Sequence, residues 1–145
     1  HALVQAESAA GVAADAGRRL AALLAADALA ADKAAARLKL SNRLRKRIGV
    51  ALSGAVDRDA RVLAYRLGIE GATDRLLLAN EPERLATLRG WNIPRLPFSG
   101  GDLVSTGVTA GPEVARLLRR LEDRWLAEGF PSDVDLPGWL AAARL

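Results

Sequence analysis

The sequence predicts an all-α fold, an irregular bundle of about seven or eight short to medium helices that ends in a C-terminal helical hairpin. Half of the 145 residues are hydrophobic, and much of that content is Ala and Leu, which favour helix. Aromatic residues make up only 4% of the chain, which argues against a sheet. Apolar residues also recur at helical spacing between residues that begin and end helices.

The N-terminal third predicts three helices. Apolar residues spaced by three or four predict one long helix over Val4–Ala26, and Asp27 either ends it or caps the next helix, Ala28–Leu38. Ser41 is expected to cap the helix that follows, because its hydroxyl can accept from free amides of the first turn. Gly54 is expected to close that helix.

The middle of the chain predicts two helices separated by a glycine. We expect Asp57 to cap the first of them and Gly68 to end it. A short helix then begins at Thr73 or Asp74 and continues through the leucines that end at Leu78.

The chain next predicts a short helix and a connector. Asn80 and Pro82 form a cap and first-turn pair for residues 81–88, and Gly90 ends that helix. The Pro-containing stretch Trp91–Phe98 is predicted to be extended. We treat residues 1–145 as a single helical unit, with a subdivision into a basic helical body, 1–90, and a C-terminal hairpin region, 91–145.

The C-terminal region predicts the helical hairpin. A short helix over Ser99–Thr106 and a turn over 107–111 lead into a strongly amphipathic helix that begins at Pro112 and stops at Gly129. Its apolar face is formed by Val114, Leu117, Leu118, Leu121 and Trp125. A last helix is predicted over Leu136–Arg144.

Positive charge is concentrated in one segment. The net charge is +4, but residues 37–66 hold nine Lys and Arg against two Asp, a net +7, so the rest of the chain sums to −3. Such asymmetry is typical of proteins that bind a polyanion. The alternative, a solvated helical surface, is equally compatible with the charge alone.

The composition restricts the protein class. There is no cysteine, which excludes disulfides and Cys-ligated zinc and suits the cytoplasm. No apolar run approaches the roughly 18 residues of a membrane span, and no signal-peptide pattern is present. The chain starts at His1 and contains no Met, so we expect it to be a piece of a longer protein.

No catalytic or metal site is predicted. The only histidine is terminal, and no phosphate-binding Gly-x-x-x-x-Gly-Lys loop occurs. Asp57 and Asp59 would face one side of a strand and could bind metal ions there. The surrounding pattern is helical, however, and favours an N-cap with an acid in the first turn.

The segment 99–130 carries the most informative motif. A short helix, a Gly-bounded turn and a long helix resemble a helix-hairpin-helix module, in which amides at a helix start meet a nucleic-acid phosphate. Val108 and Gly111 would form the turn, and Pro112 would set the first helical turn. The alternative is a helical hairpin whose glycines serve geometry alone.

A family resemblance favours the nucleic-acid interpretation. Segment 99–130 resembles the C-terminal region of bacterial CCA-adding tRNA nucleotidyltransferases of the poly(A) polymerase family. The matching residues are Gly100, Asp102, Leu103, Gly107, Gly111, Pro112, Val114, Leu118 and Leu121. Residues 38–42 (LKLSN) with the basic helix after them, and the Pro-rich Trp91–Phe98, are similar to that family as well. The resemblance covers about Ala21–Gly129, and Ala115 departs from it where many relatives carry Gly.

The resemblance implies a non-catalytic part of an enzyme. The family's head domain, with its metal-binding Asp-x-Asp pair, has no counterpart here, so Mg²⁺, CTP and ATP would bind to a head domain upstream in the same polypeptide. This chain would hold the acceptor and T-arm of tRNA and would not catalyse alone. The residues predicted to bind RNA are Arg43, Arg45, Lys46, Arg47, Arg58, Arg61, Val108, Gly111, Arg116 and Arg119.

Two other functions stay open on the sequence. One is an independent helix-hairpin-helix module that binds DNA through phosphate contacts. The other is a helical domain that binds protein, or a second copy of itself, through the Ala-rich face of Val4–Ala26.

Overall fold

The computed structural model describes residues 1–25, 28–54, 56–57 and 59–144, without the side chains of residues 28–30 and 32. These residues form helices and no strand, which confirms the all-α prediction. Helices α1–α5 are Ala2–Ala10, Ala16–Leu24, Ala28–Arg37, Asn42–Leu52 and Ala60–Leu78. A 3-10 helix, Pro82–Leu88, precedes α6, α7 and α8, which are Gly100–Ser105, Pro112–Ala127 and Leu136–Ala143. The contacts divide the chain into two compact units, His1–Ile93 and Pro94–Leu145.

The prediction of one helix over Val4–Ala26 is wrong. Helix α1 ends at Ala10, because Gly11 adopts φ +65° and turns the chain out of the helix. Helix α2 then begins with its own cap: Asp15 Oδ1 accepts from the Arg18 amide at 2.8 Å. The apolar face predicted across this region is therefore split, and Leu23 is 81% exposed. The role predicted for Asp27 falls outside the described residues.

The two predicted caps in the middle of the chain also need correction. The side chain of Asp59 caps α5, accepting from the Arg61 amide at 2.8 Å, while Asp57 accepts from the Asp59 amide. Asn80 adopts φ +59° at the end of α5, where its amide donates to the Leu77 carbonyl at 3.1 Å, and the 3-10 helix begins at Pro82 without a side-chain cap. The predicted interruption at Gly68 is present, because this residue adopts φ +78° inside α5. The chain resumes the helix directly after Gly68, earlier than predicted.

The core of the first unit is built from small and medium side chains. Buried alanines such as Ala64 and Ala72 let α5 approach its neighbours closely, and Leu63, Leu76 and Leu77 fill the space between them. Helix α5 packs against α1, α2, α4 and the 3-10 helix. It is therefore the element around which the unit is assembled.

The core of the second unit is aromatic and leucine-rich. Leu117, Leu121 and Trp125 are buried on one face of α7, as its periodicity predicts. Phe130 packs edge-on against Trp125 with ring centroids 5.0 Å apart. The Trp125 indole N–H donates to the Pro131 carbonyl at 2.8 Å, which fixes the chain after α7 to the helix.

Candidate nucleic-acid interface

Helix α4 presents the main basic surface of the first unit. Ser41 caps the helix by accepting from the Leu44 amide, as predicted. Arg43 and Lys46 lie three residues apart on one face, and both are exposed. Among the described residues, neither forms an ion pair. Their charge is therefore open to solvent and to an anionic partner.

Arg47 lies on the same face of α4 but is bound by carboxylates. Its Nε donates to Asp74 Oδ2 at 2.7 Å and its Nη2 donates to Asp74 Oδ1 at 3.0 Å. It also contacts Asp15 and Glu70 at 3.0 and 3.2 Å. The hydrogen bond with Asp74 is the main cause that raises the pKa of Arg47. Local acids thus neutralise this arginine, so the RNA contact predicted for Arg47 has no support from its surroundings.

A buried ion network joins four helices of this unit, and its members Arg18 and Asp74 are 56 residues apart in sequence. Asp74 is 1% exposed, and its Oδ1 also accepts from Arg18 Nε at 2.8 Å. Arg18 reaches Glu7 at 2.8 Å, and the exposed Arg19 binds the same carboxylate. The network connects α1, α2, α4 and α5 through charge-assisted hydrogen bonds. Buried charges of this kind must be paired.

The pKa values of the acids reflect these bonds. Burial acts to raise the pKa of Glu7, but hydrogen bonds from Arg19 and Arg18 outweigh it and lower the pKa below its ordinary value. The backbone amide of Arg18 is the main cause that lowers the pKa of Asp15. The stabilisation from both acids is present at neutral pH and is lost as acid protonates them through these lowered values.

The other basic residues predicted in this unit occupy different settings. Arg45 is half-buried and forms one wall of a largely apolar cavity of about 130 Å³ between α3 and α4. Arg61 is exposed, with its guanidinium 5.7 Å from the centroid of the Trp91 ring. Arg58 falls outside the described residues.

In the second unit, α7 carries exposed arginines on its polar side. Arg119 and Arg120 are exposed and form no ion pair within residues 94–144. Arg116 is exposed and lies 3.7 Å from Glu113. Arg124 donates to Glu128 at 2.7 Å and stacks over the Trp139 ring at 4.2 Å. The free positive charge of α7 therefore lies in its first three turns.

The turn before α7 has one residue suited to a phosphate and one that is not. Gly111 is exposed at the start of α7, with φ +133° and no side-chain cap, so this helix start can receive an anion. The neighbouring Glu113 already places a negative charge there. Val108 is 3% exposed, and its amide donates to the Leu103 carbonyl at 3.1 Å. Its predicted RNA contact conflicts with this burial.

The described residues contain no arrangement that resembles a metal centre. Within residues 1–25, 28–54, 56–57 and 59–144, no three His, Asp or Glu side chains are grouped to hold a metal ion. Asp57 and Asp59 lie at a helix start rather than on a strand. None of the helices in this part of the chain is long and apolar enough to cross a membrane.

Comparison with known proteins identifies partial relatives. No protein-family model and no solved structure matches the chain. Over 55 residues, 38% of the chain, it is 47% identical to CCA tRNA nucleotidyltransferase 1, mitochondrial, from Danio rerio. Over 51 residues, 35% of the chain, it is 33% identical to the Homo sapiens protein of the same name.

These matches cover a small part of each relative. The matched segments span 13% of the Danio rerio protein and 12% of the Homo sapiens protein. The relatives are animal mitochondrial proteins, whereas the sequence motifs resemble bacterial ones. Over about a third of its length, the chain is therefore similar to CCA tRNA nucleotidyltransferases.

Proposed function

We propose that this chain is a tRNA-holding helical region of a tRNA nucleotidyltransferase of the poly(A) polymerase family and does not catalyse by itself. The observation that carries the proposal is the similarity to CCA tRNA nucleotidyltransferases, 47% identity over 55 residues. Those proteins act on tRNA by name, so a folded tRNA is the polyanion that the basic segment best fits. Nucleotide addition would require a head domain with Mg²⁺, CTP and ATP, and the cytoplasm remains our predicted compartment.

The proposed contacts are electrostatic. In the first unit, Arg43 and Lys46 bind phosphates of the acceptor or T-arm, with Arg61 as a further contact. In the second unit, Arg116 and Arg119 bind phosphates near the helix start at Gly111. Exposed cations that no close carboxylate holds are the residues that displace counterions from a nucleic acid, and Arg116 has only a long contact of 3.7 Å to Glu113. Arg47 and Val108 are left out because one is neutralised and the other is buried.

Salt dependence of tRNA binding tests this proposal. Replacing Arg43 and Lys46 together by Ala should weaken binding of folded tRNA and reduce the slope of log K against log salt by about two. The measurement is fluorescence anisotropy over a series of salt concentrations. Replacing Arg95 and Arg144 by Ala is the matched control, because it removes the same charge from two exposed residues without a proposed contact.

The outcomes separate the alternatives. If the slope of log K against log salt is unchanged in a variant with normal helix content, Arg43 and Lys46 do not contact the RNA and are only solvated surface residues. Equal affinity for duplex DNA and tRNA at the same salt concentration would favour the DNA-binding module. Self-association that persists without RNA, measured by sedimentation, would favour the protein-interaction domain.

A further inference from the structure

A groove between α4 and α5 combines cations, a carboxylate and an apolar floor. Arg43, Lys46, Arg47 and Val50 line it from one face of α4, at the spacing i, i+3, i+4 and i+7. Leu67, Glu70 and Gly71 line it from α5. Its volume is about 200 Å³. That is smaller than a typical small-molecule pocket of roughly 300–1,000 Å³, so it fits part of a nucleotide rather than a whole one.

The charged side chains of the groove differ in how freely they can bind a ligand. Arg47 is held by Asp74 and Asp15, so it acts as a fixed wall of the groove. Arg43 and Lys46 are exposed at its edge and can turn towards a phosphate. Glu70 is 59% exposed, and its Oε1 lies 3.2 Å from Arg47 Nη1. Its carboxylate has lone pairs left to accept another hydrogen bond.

An ionised carboxylate in a basic groove is informative because it only accepts hydrogen bonds. The backbone of DNA offers it acceptors and negative charge, so Glu70 would repel it. The backbone of RNA offers a donor beside every phosphate, the ribose 2′-hydroxyl. In a groove that binds phosphate alone, Glu70 would serve only its ion pair with Arg47, whereas a groove that binds ribose and phosphate together uses both signs of charge.

We propose that the α4–α5 groove is a ribonucleotide-backbone subsite that selects RNA over DNA. Arg43 and Lys46 bind the phosphate, the ribose packs against the apolar floor at Val50 and Leu67, and its 2′-hydroxyl donates to Glu70. This inference rests on the proposed function, since it assumes that the partner is a nucleic acid. It goes beyond that function by naming the group that the groove recognises, the ribose 2′-hydroxyl.

The test compares one stem-loop sequence prepared as RNA and as DNA. Both are bound to the full chain at one salt concentration, and the ratio of the two affinities is the readout. Glu70→Ala removes the acceptor, and the exposure of Glu70 makes a large loss of stability unexpected. The loss of a negative charge should strengthen both complexes by a similar factor. The loss of the 2′-hydroxyl contact should lower the RNA:DNA ratio by about tenfold, the value of one hydrogen bond to a charged group.

Glu83→Ala is the matched control, because it removes the same charge from an exposed carboxylate on the 3-10 helix outside the groove. It should leave the RNA:DNA ratio unchanged. The inference is overturned if wild-type protein binds RNA and DNA equally, or if Glu70→Ala keeps the wild-type ratio. The second result leaves tRNA binding through Arg43 and Lys46 intact, whereas equal binding by the wild-type chain would also favour the DNA-binding module. A wild-type chain that does not bind tRNA refutes the proposed function itself.

Discussion

The two units achieve a buried core by different chemistry. In the first unit, small side chains allow close packing of the helices, and the charged side chains of Glu7, Arg18 and Asp74 are buried as well. In the second unit, leucines and aromatic rings fill the interior, and every buried residue within 94–144 is apolar. Alanine contributes little buried area per residue, so an Ala-rich bundle gains less from burial alone. The ion network also orients the helices that carry it, because each guanidinium fits its carboxylates in one arrangement.

This difference also affects the candidate interface. The network fixes α4 through Arg47 and thereby sets which face of that helix displays Arg43 and Lys46. Helix α7 displays its arginines because Leu117, Leu121 and Trp125 fix the opposite face. One basic surface is thus oriented by charge and the other by apolar packing.

The largest effect on stability is expected when Asp74 is removed from the ion network of the first unit. Asp74→Ala leaves the buried guanidinium of Arg18 with Glu7 as its carboxylate partner and removes two hydrogen bonds from Arg47. We therefore expect the free energy of unfolding to fall by about 3–5 kcal/mol. Urea denaturation, followed by circular dichroism, measures the total change in the free energy of unfolding. Hydrogen exchange should place the loss of protection in residues 1–93. The exposed Glu83→Ala variant should change stability by less than about 0.5 kcal/mol. A loss below about 1 kcal/mol for Asp74→Ala would mean that the ions add little to the core.

A smaller effect is expected in the second unit from Trp125→Phe. Phenylalanine keeps an aromatic ring beside Phe130, but the Pro131 carbonyl loses its donor and the core loses volume, so we expect a loss of about 1–3 kcal/mol. Hydrogen exchange should report the loss in residues 94–144. A broad loss of protection across residues 1–93 would contradict the division into two separately packed cores.

Local chemistry made much of the fold predictable. The Ser41 cap, the interruption at Gly68 and the start of α7 at Pro112 each depend on residues next to one another in the chain. The same rules were available at Gly11 and Asp15, which end α1 and cap α2. The Ala and Leu residues around them keep a helical spacing across the break, and this spacing led to the prediction of one continuous helix.

The interior of the candidate interface could not be predicted in the same way. Arg18 and Asp74 are 56 residues apart in sequence, and nothing local indicates that they meet. Arg47 sits in a run of basic residues that looks like one exposed patch, and only the position of α5 shows that it is neutralised. Asp74 did offer a weak signal, as an acid just before the three leucines that end at Leu78. Val108 lies in a turn, where burial is not expected from sequence alone.

The smallest effect is expected at the start of α6, where Ser99 and Asp102 form a capping box. Ser99→Ala removes the hydroxyl that accepts from the Asp102 amide and donates to its carboxylate at 2.7 Å. We expect the free energy of unfolding to fall by about 1 kcal/mol, and hydrogen exchange should locate the loss of protection in the region of α6.

The hydrogen bond from the Ser99 side chain is the main cause that lowers the pKa of Asp102. An NMR titration of the variant should therefore show this pKa moving back up towards its ordinary value. Ser105→Ala is the control, because its hydroxyl donates only to the Asp102 carbonyl within the helix, and it should move neither quantity appreciably. A lowered pKa that survives in Ser99→Ala would mean that the Ser99 amide alone holds the carboxylate, and that the cap of this six-residue helix depends on the backbone.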